Sequence, residues 1–153
     1  MRIQFQRATA ADVDQLIEVQ NKSFYSDYMK YGECPGYHHT KESMTDIVQN
    51  RIVYKMICDD QTVGDIIVRD NEDHTYFLGC LCVIPEYENQ GIGQQAIHYL
   101  EHEFPSATRW SLETPEDKSR NHYFYKKMGF EIIKEYMHGS VRIVLFERKM
   151  LHA

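Results

Sequence analysis

"VIPEYENQGIGQQAIHYLEHEF", residues 83–104, runs from a strand-like end into a helix-like segment through a turn with two glycines one residue apart. From Gly91 onward, a rotation of about 100° per residue gathers Ile92, Ala96, Ile97, Tyr99, Leu100 and Phe104 on one arc. Gln94, Gln95, His98, Glu101 and His102 fill the rest, so the segment is a helix that packs on a sheet. Its first turn, entered through Asn89, Gln90 and two residues without Cβ, offers unpaired N–H groups and the positive end of the helix dipole. Glycine costs roughly 1 kcal/mol inside a helix, so close approach of a phosphate explains Gly91 and Gly93 better than helix propensity does. A ligand-free strand-to-helix turn is the plainer alternative, and the surrounding sequence decides between them.

Upstream, residues 2–8 alternate as a strand, and Thr9 with Asp12 opens a helix whose apolar positions are Val13, Leu16, Ile17 and Phe24. Residues 25–39 carry Pro35 and two glycines without a clear period and read as a loop, followed by a helix over about 41–51. Three β-branched and aromatic runs, IVYKMICDD, TVGDIIVRD and TYFLGCLCVI, then follow with short polar turns between them, which predicts an antiparallel meander. After the glycine turn come the helix over about 91–104, the strand RWSLET, and a helix over about 119–128 stopped by Gly129. Two last strands, FEIIKEY and VRIVLFERK, hinge at His138-Gly139-Ser140. The order predicts a mixed sheet with helices on its faces, of the α+β or α/β class.

At 153 residues, with 42% apolar and 12% aromatic content, the chain suits one domain with a full core. The longest apolar run, about residues 77–84, is far too short to span a bilayer, and the N-terminal segment lacks the apolar stretch of a signal peptide. The expectation is a soluble cytoplasmic protein without a membrane partner. Cys34, Cys58, Cys80 and Cys82 have neither zinc-site spacing nor disulfide-scaffold density and are expected as reduced thiols. A formal charge of −6 without a Lys/Arg cluster disfavours nucleic acid and favours a cationic small molecule.

Three motifs compete at the turn. Gly91-Ile92-Gly93-Gln94-Gln95-Ala96 matches a dinucleotide fingerprint, with Glu113 downstream as the ribose-binding acid. The residues between Ile84 and Gly91 and the upstream meander depart from that fold. His98, Glu101 and His102 spell an inverted zinc motif, yet they lie on the exposed arc without a third ligand, so no metal is expected there. A P-loop is excluded because no Gly-Lys-Ser/Thr follows the turn.

FLGCLCVIPEYENQGIGQQAIHYLE followed by LETPEDKSRNHYFYKKMGFEII resembles the GNAT superfamily of acetyl-CoA-dependent N-acyltransferases, most specifically over about residues 77–133. The resemblance implies one GNAT domain over 1–153: a central, mostly antiparallel sheet with a splayed parallel pair and helices on both faces. Pro85, Tyr87, Gly91 and Gly93 match the family's pyrophosphate-binding turn. It implies cofactor contacts from Leu81, Cys82 and Val83 along the pantetheine arm and from Glu88, Asn89, Gln90, Gly91, Ile92, Gly93 and Gln94 at the phosphates. Glu88 departs from the basic or amide residue usual at its position, so a charge contact is lost. Tyr125, in Phe124-Tyr125-Lys126-Lys127-Met128-Gly129-Phe130, matches the tyrosine that stands near the thioester sulfur. Lys118 occupies the place of the family's asparagine, and Asn121, on the same helical face as Tyr125, is the substitute.

Acyl transfer needs a neutral amine, a donor for the oxyanion and a proton for the leaving thiolate. A strand N–H near Val83 serves the oxyanion in this reading. Tyr125 serves as acid and is expected at the edge of an apolar stripe, facing the cleft. Many relatives carry a glutamate where this chain has Cys80 and Cys82, so the base is Glu113, Asp65 or a water held by either. Asp65 reads otherwise as a strand-edge aspartate facing solvent, and the two cysteines as small buried hydrophobes on one strand face. Phe24, Tyr25, Tyr28 and Tyr31, in a segment that also carries Tyr37, Asp27 and Glu33, are candidates to hold a small-molecule amine through cation–π and charge contacts. The expected activity is direct acetyl transfer from acetyl-CoA to a primary amine, with a non-catalytic acyl-CoA-binding module as the alternative and a dinucleotide-binding protein as the third. Oligomeric state stays open, a homodimer included.

Overall fold

The structure, a computed structural model, describes residues 2–151. In chain order the elements are β1 (Gln4–Arg7), α1 (Val13–Tyr31), α2 (Lys41–Asn50), β2 (Ile52–Cys58), β3 (Gln61–Asp70), β4 (Thr75–Val83), α3 (Ile92–Glu103), β5 (Arg109–Pro115), α4 (Ser119–Lys127), β6 (Glu131–His138) and β7 (Val141–Lys149). The strands form one seven-stranded sheet in the order β1-β2-β3-β4-β5-β7-β6. Every neighbouring pair is antiparallel except β4 with β5, which run parallel and are joined by a crossover through α3.

Alternation along the strands assigns the two faces. Val53 and Ile67, cross-strand partners, pack with Leu16 of α1 and Met44 of α2. Tyr54, one residue on, meets Tyr99 of α3 edge-to-face with ring centroids 5.2 Å apart, while Tyr76 stacks on Trp110. One layer of helices thus covers each face, and the predicted meander and final hairpin stand as read.

One expectation is overturned. Residues 25–31 are the last two turns of α1 rather than loop, and the helix stops at Gly32, whose φ of 74° provides the left-handed cap. No proline or glycine interrupts the chain before that point, and long-range contacts hold the extension: Tyr31 donates to Asp117 (2.7 Å), Lys30 pairs with Asp117 and Lys118 pairs with Asp27 (2.6 Å). Among the described residues, no helix is long and apolar enough to cross a membrane.

The feature that positions the site is a register slip in β4. Cys80 lies opposite Ile67 and Leu78 opposite Val68, which leaves Gly79 as the extra residue of a β-bulge. Parallel pairing with β5 ends at the same place, with Leu78 opposite Leu112. A bulge bends its strand and raises the local twist, so from Gly79 to Val83 the strand follows β3 alone and its other edge opens into a cleft. The slip also re-aims side chains: Tyr76, Leu78, Leu81 and Val83 share the α3 face, whereas Cys80 and Cys82 share the α1 face with Asp65.

Candidate active site

The cleft begins at the glycine turn. A short 3₁₀ turn, Pro85–Tyr87, leads into Asn89 and Gly91, both at positive φ (61° and 77°). The first helical hydrogen bond of α3 runs from Gln95 N–H to Gly91 carbonyl (3.1 Å), so the N–H groups of Ile92, Gly93 and Gln94 have no partner within the helix. Nothing lies within 4 Å of the place a Cβ on Gly91 would take, and the left-handed backbone there favours glycine. Gly93 has a different reason. A Cβ there would stand 3.0 Å from the Phe124 ring of α4, so this glycine lets α4 close on α3 rather than clearing the anion's path.

Glu88 and Gln90 are exposed at the bend, with Gln90 donating to the Glu86 carbonyl at 3.4 Å. A cation from another element stands beside Glu88. Arg120, in the first turn of α4, lies 3.6 Å from Glu88 and donates to Asn89 at 2.6 Å. Sequence reasoning missed this arginine; its signal was a cation in the first turn of the helix that carries Tyr125. Beyond the turn, Leu81, Cys82 and Val83 lie on the half of β4 whose β5-facing edge is unpaired.

Tyr125 is more enclosed than expected: its ring is 8% exposed, packed against Phe124, Phe130 and Phe146 rather than standing at the rim. Burial first, then the neighbouring Cys80 sulfur, holds its phenol well above the ordinary tyrosine range. It stays protonated at all physiological pH values. Asn121 is half-buried and donates to Thr114 at 3.1 Å, while Lys118 is committed to Asp27. Glu113 lies on β5 just past the last residue paired with β4, is exposed, and accepts a hydrogen bond from Tyr136.

Asp65 corrects a second expectation. It is completely buried beneath α1, not at a solvent-facing edge. Gln20 Nε2 donates to both carboxylate oxygens (3.1 and 3.0 Å), and the thiols of Cys80 and Cys82 donate to Oδ1 at 3.5 and 3.3 Å. Burial pushes its pKa up to about 6, opposed in part by those hydrogen bonds. Cys82 is a buried residue as expected, but Cys80 is only half-buried at the opened strand.

The four aromatic candidates do not act as one set. Phe24 is pinned by Gly36 and the core, and Tyr31 is tied to Asp117. Tyr25 (54% exposed) and Tyr28 remain accessible and join Tyr37, which stacks on Tyr28 at 4.6 Å. Glu33 accepts from Ser140, so the α1–α2 connection meets the β6–β7 turn. His98 and His102 are exposed, and Glu101 pairs with Arg148.

The sequence pattern of the acetyltransferase (GNAT) domain matches residues 49–132. The uncharacterized protein YrkN of Bacillus subtilis (strain 168) is 33% identical over 113 residues, 69% of this chain, and the match spans 60% of that protein's length. The PaiA N-acetyltransferase of Thermoplasma acidophilum, solved in complex with coenzyme A, superposes with a TM-score of 0.83 at 21% identity over 98% of this chain and 100% of that one. The ribosomal-protein-S18-alanine N-acetyltransferase of Escherichia coli gives 0.80 at 11% identity over 99% and 96% of the two chains. At such identities the structural likeness is one of fold.

Proposed function

Because this chain belongs to the GNAT acetyltransferase family, we propose that it is an acetyl-CoA-dependent N-acetyltransferase that passes the acetyl group directly to a primary amine of a small molecule or peptide. One observation carries the reading: the unpaired edge of β4 beyond Leu78 leads directly, through residues 84–91, into the bare first turn of α3. These groups fit the cofactor. The N–H groups of Ile92, Gly93 and Gln94, on the bend shaped by Asn89, Gln90 and Gly91, would hold a pyrophosphate, with Arg120 offsetting Glu88. Leu81, Cys82 and Val83 would pair with the pantetheine arm as an added strand. Bound acetyl-CoA supplies an acetyl group activated as a thioester.

The chain's own residues supply the rest. A freed N–H near Val83 would hold the carbonyl oxygen. Tyr125, held protonated by its surroundings, would give its proton to the departing sulfur. Glu113, exposed beside the split, would take the amine proton directly or through water. Tyr25 and Tyr28, together with Tyr37, offer π-faces to an ammonium group, each worth on the order of 1 kcal/mol. Phe24 and Tyr31 shape the wall behind them. In this reading residues 1–153 work as one GNAT domain in the cytoplasm, without nucleic acid or membrane as partner.

Two measurements test it. Coenzyme A and NAD are compared for their effect on melting temperature, and free thiol release from acetyl-CoA is followed with a panel of amines. Stabilisation by coenzyme A with amine-dependent thiol release, and an acetylated amine in the mass spectrum, is the expected result. Coenzyme A binding without amine-dependent release makes the protein an acyl-CoA-binding module, and stabilisation by NAD alone overturns the reading.

A further inference from the structure

We propose that Asp65, Cys80, Cys82 and Gln20 form a buried site for a thiophilic divalent cation of the zinc class, set between α1 and the opened half of β4. The ligating atoms of Asp65, Cys80 and Cys82 lie within 4.8 Å of one another. The two sulfurs stand 3.5 and 3.3 Å from Asp65 Oδ1. A tetrahedral zinc ion with bonds of about 2.3 Å to sulfur and about 2.0 Å to oxygen places those atoms about 3.5 Å apart. The two oxygen–sulfur distances therefore already match edges of a coordination tetrahedron, the third edge lies within 4.8 Å, and the bulge at Gly79 is what turned both cysteines to this face.

A second observation supplies the fourth corner. Gln20 is 1% exposed, and its amide head lies 3.0 Å from Asp65 Oδ2 and 3.7 Å from Cys80 Sγ. Its Oε1 has no hydrogen-bond partner. A half-turn of the terminal amide directs that oxygen into the cluster as a neutral ligand. Among the described residues no basic side chain pairs with Asp65: Lys55, its cross-strand partner, is engaged by Asp12 at 2.8 Å. Soft thiolates with one carboxylate suit zinc better than magnesium or calcium, which favour oxygen shells. Binding exchanges two thiol protons for two metal–sulfur bonds, with no change of oxidation state.

The inference stands apart from acetyl transfer, and its test reads metal rather than turnover. Chelator-treated, reduced protein is titrated with Co²⁺, and the thiolate-to-metal charge-transfer and visible ligand-field absorptions are followed. The expected result is saturation at one equivalent with tetrahedral-type absorption, bleached by Zn²⁺, and a higher melting temperature with Zn²⁺. Cys80→Ser and Cys82→Ser should each weaken binding at least tenfold and diminish the charge-transfer band. Gln20→Leu, which keeps the three charged ligands, should retain the band at lower affinity and covers the case in which a cysteine variant fails to fold. Absence of a charge-transfer band in the wild type, or an unchanged band in both folded cysteine variants, overturns the site.

Discussion

The two halves of β4 differ by one residue of register and, as a result, in everything they do. Tyr76, Phe77 and Leu78 are paired on both sides, to β3 and to β5, and carry Tyr76 into the stack with Trp110. From Gly79 to Val83 the strand keeps only β3. The paired half is ordinary sheet. The opened half borders the cleft, faces Tyr125, lies across from Asp65 and leads into the glycine turn. A single inserted residue thus separates a scaffold from a site, because backbone groups released from a ladder must find another partner or face water.

The strongest way to break this contrast is Gly64→Ala. A Cβ at Gly64 would stand 2.1 Å from the Cys82 carbonyl, so β3 and the opened half of β4 cannot keep their register. A loss of about 3 kcal/mol or more in chemical denaturation is expected. Next comes Tyr125→Phe, which removes one hydroxyl beside the opened half. Turnover should fall about 100-fold or more while melting temperature and coenzyme A affinity stay close to wild type. Unchanged turnover would remove the tyrosine from the mechanism.

The buried carboxyl across from Cys82 makes a pH signature. Asp65 has a folded pKa of about 6 against 3.8 for an ordinary aspartate, so the folded state holds a proton that the unfolded state has lost between those values. Stability is therefore highest below the unfolded pKa and declines as pH rises to about 6, after which the penalty is constant at about 3 kcal/mol. Denaturant titrations of metal-free protein from pH 4 to 8 should show that decline, and Asp65→Asn should flatten it. At the turn, Arg120→Ala should weaken coenzyme A binding several-fold by calorimetry, and Glu88→Gln in that background should restore part of it. The smallest effect sharpens the comparison. Gly79→Ala meets only an ordinary 3.5 Å contact with the Ile67 carbonyl, so stability should change by no more than about 0.5 kcal/mol. A large loss there would mean that the glycine itself, rather than the register, makes the bulge.

Much of this was legible in the residues. Alternation and turn chemistry read the meander and final hairpin, and helical spacing from Ile92 to Phe104 read α3 with its buried face. The end of α1 was not legible, because tyrosines with Asp27 and Lys30 have no strong preference, and Asp117 and Lys118, some ninety residues away, hold them helical. Asp65 was misread for a related reason. Alternation reports which side of a strand a residue takes, not whether a helix bearing Gln20 lies over that side.

By itself the sequence determined the local terms: which segments are strands or helices, where the chain turns, and that one helix begins with bare donors after a strand. Those are decided by periodicity and backbone freedom within a few residues. Only the tertiary structure decided that β4 slips at Gly79, that Cys80 and Cys82 turn together toward Asp65, and that Arg120 meets Glu88. Each depends on register and packing between segments far apart in the chain, and a one-residue shift in either reverses which side chains meet.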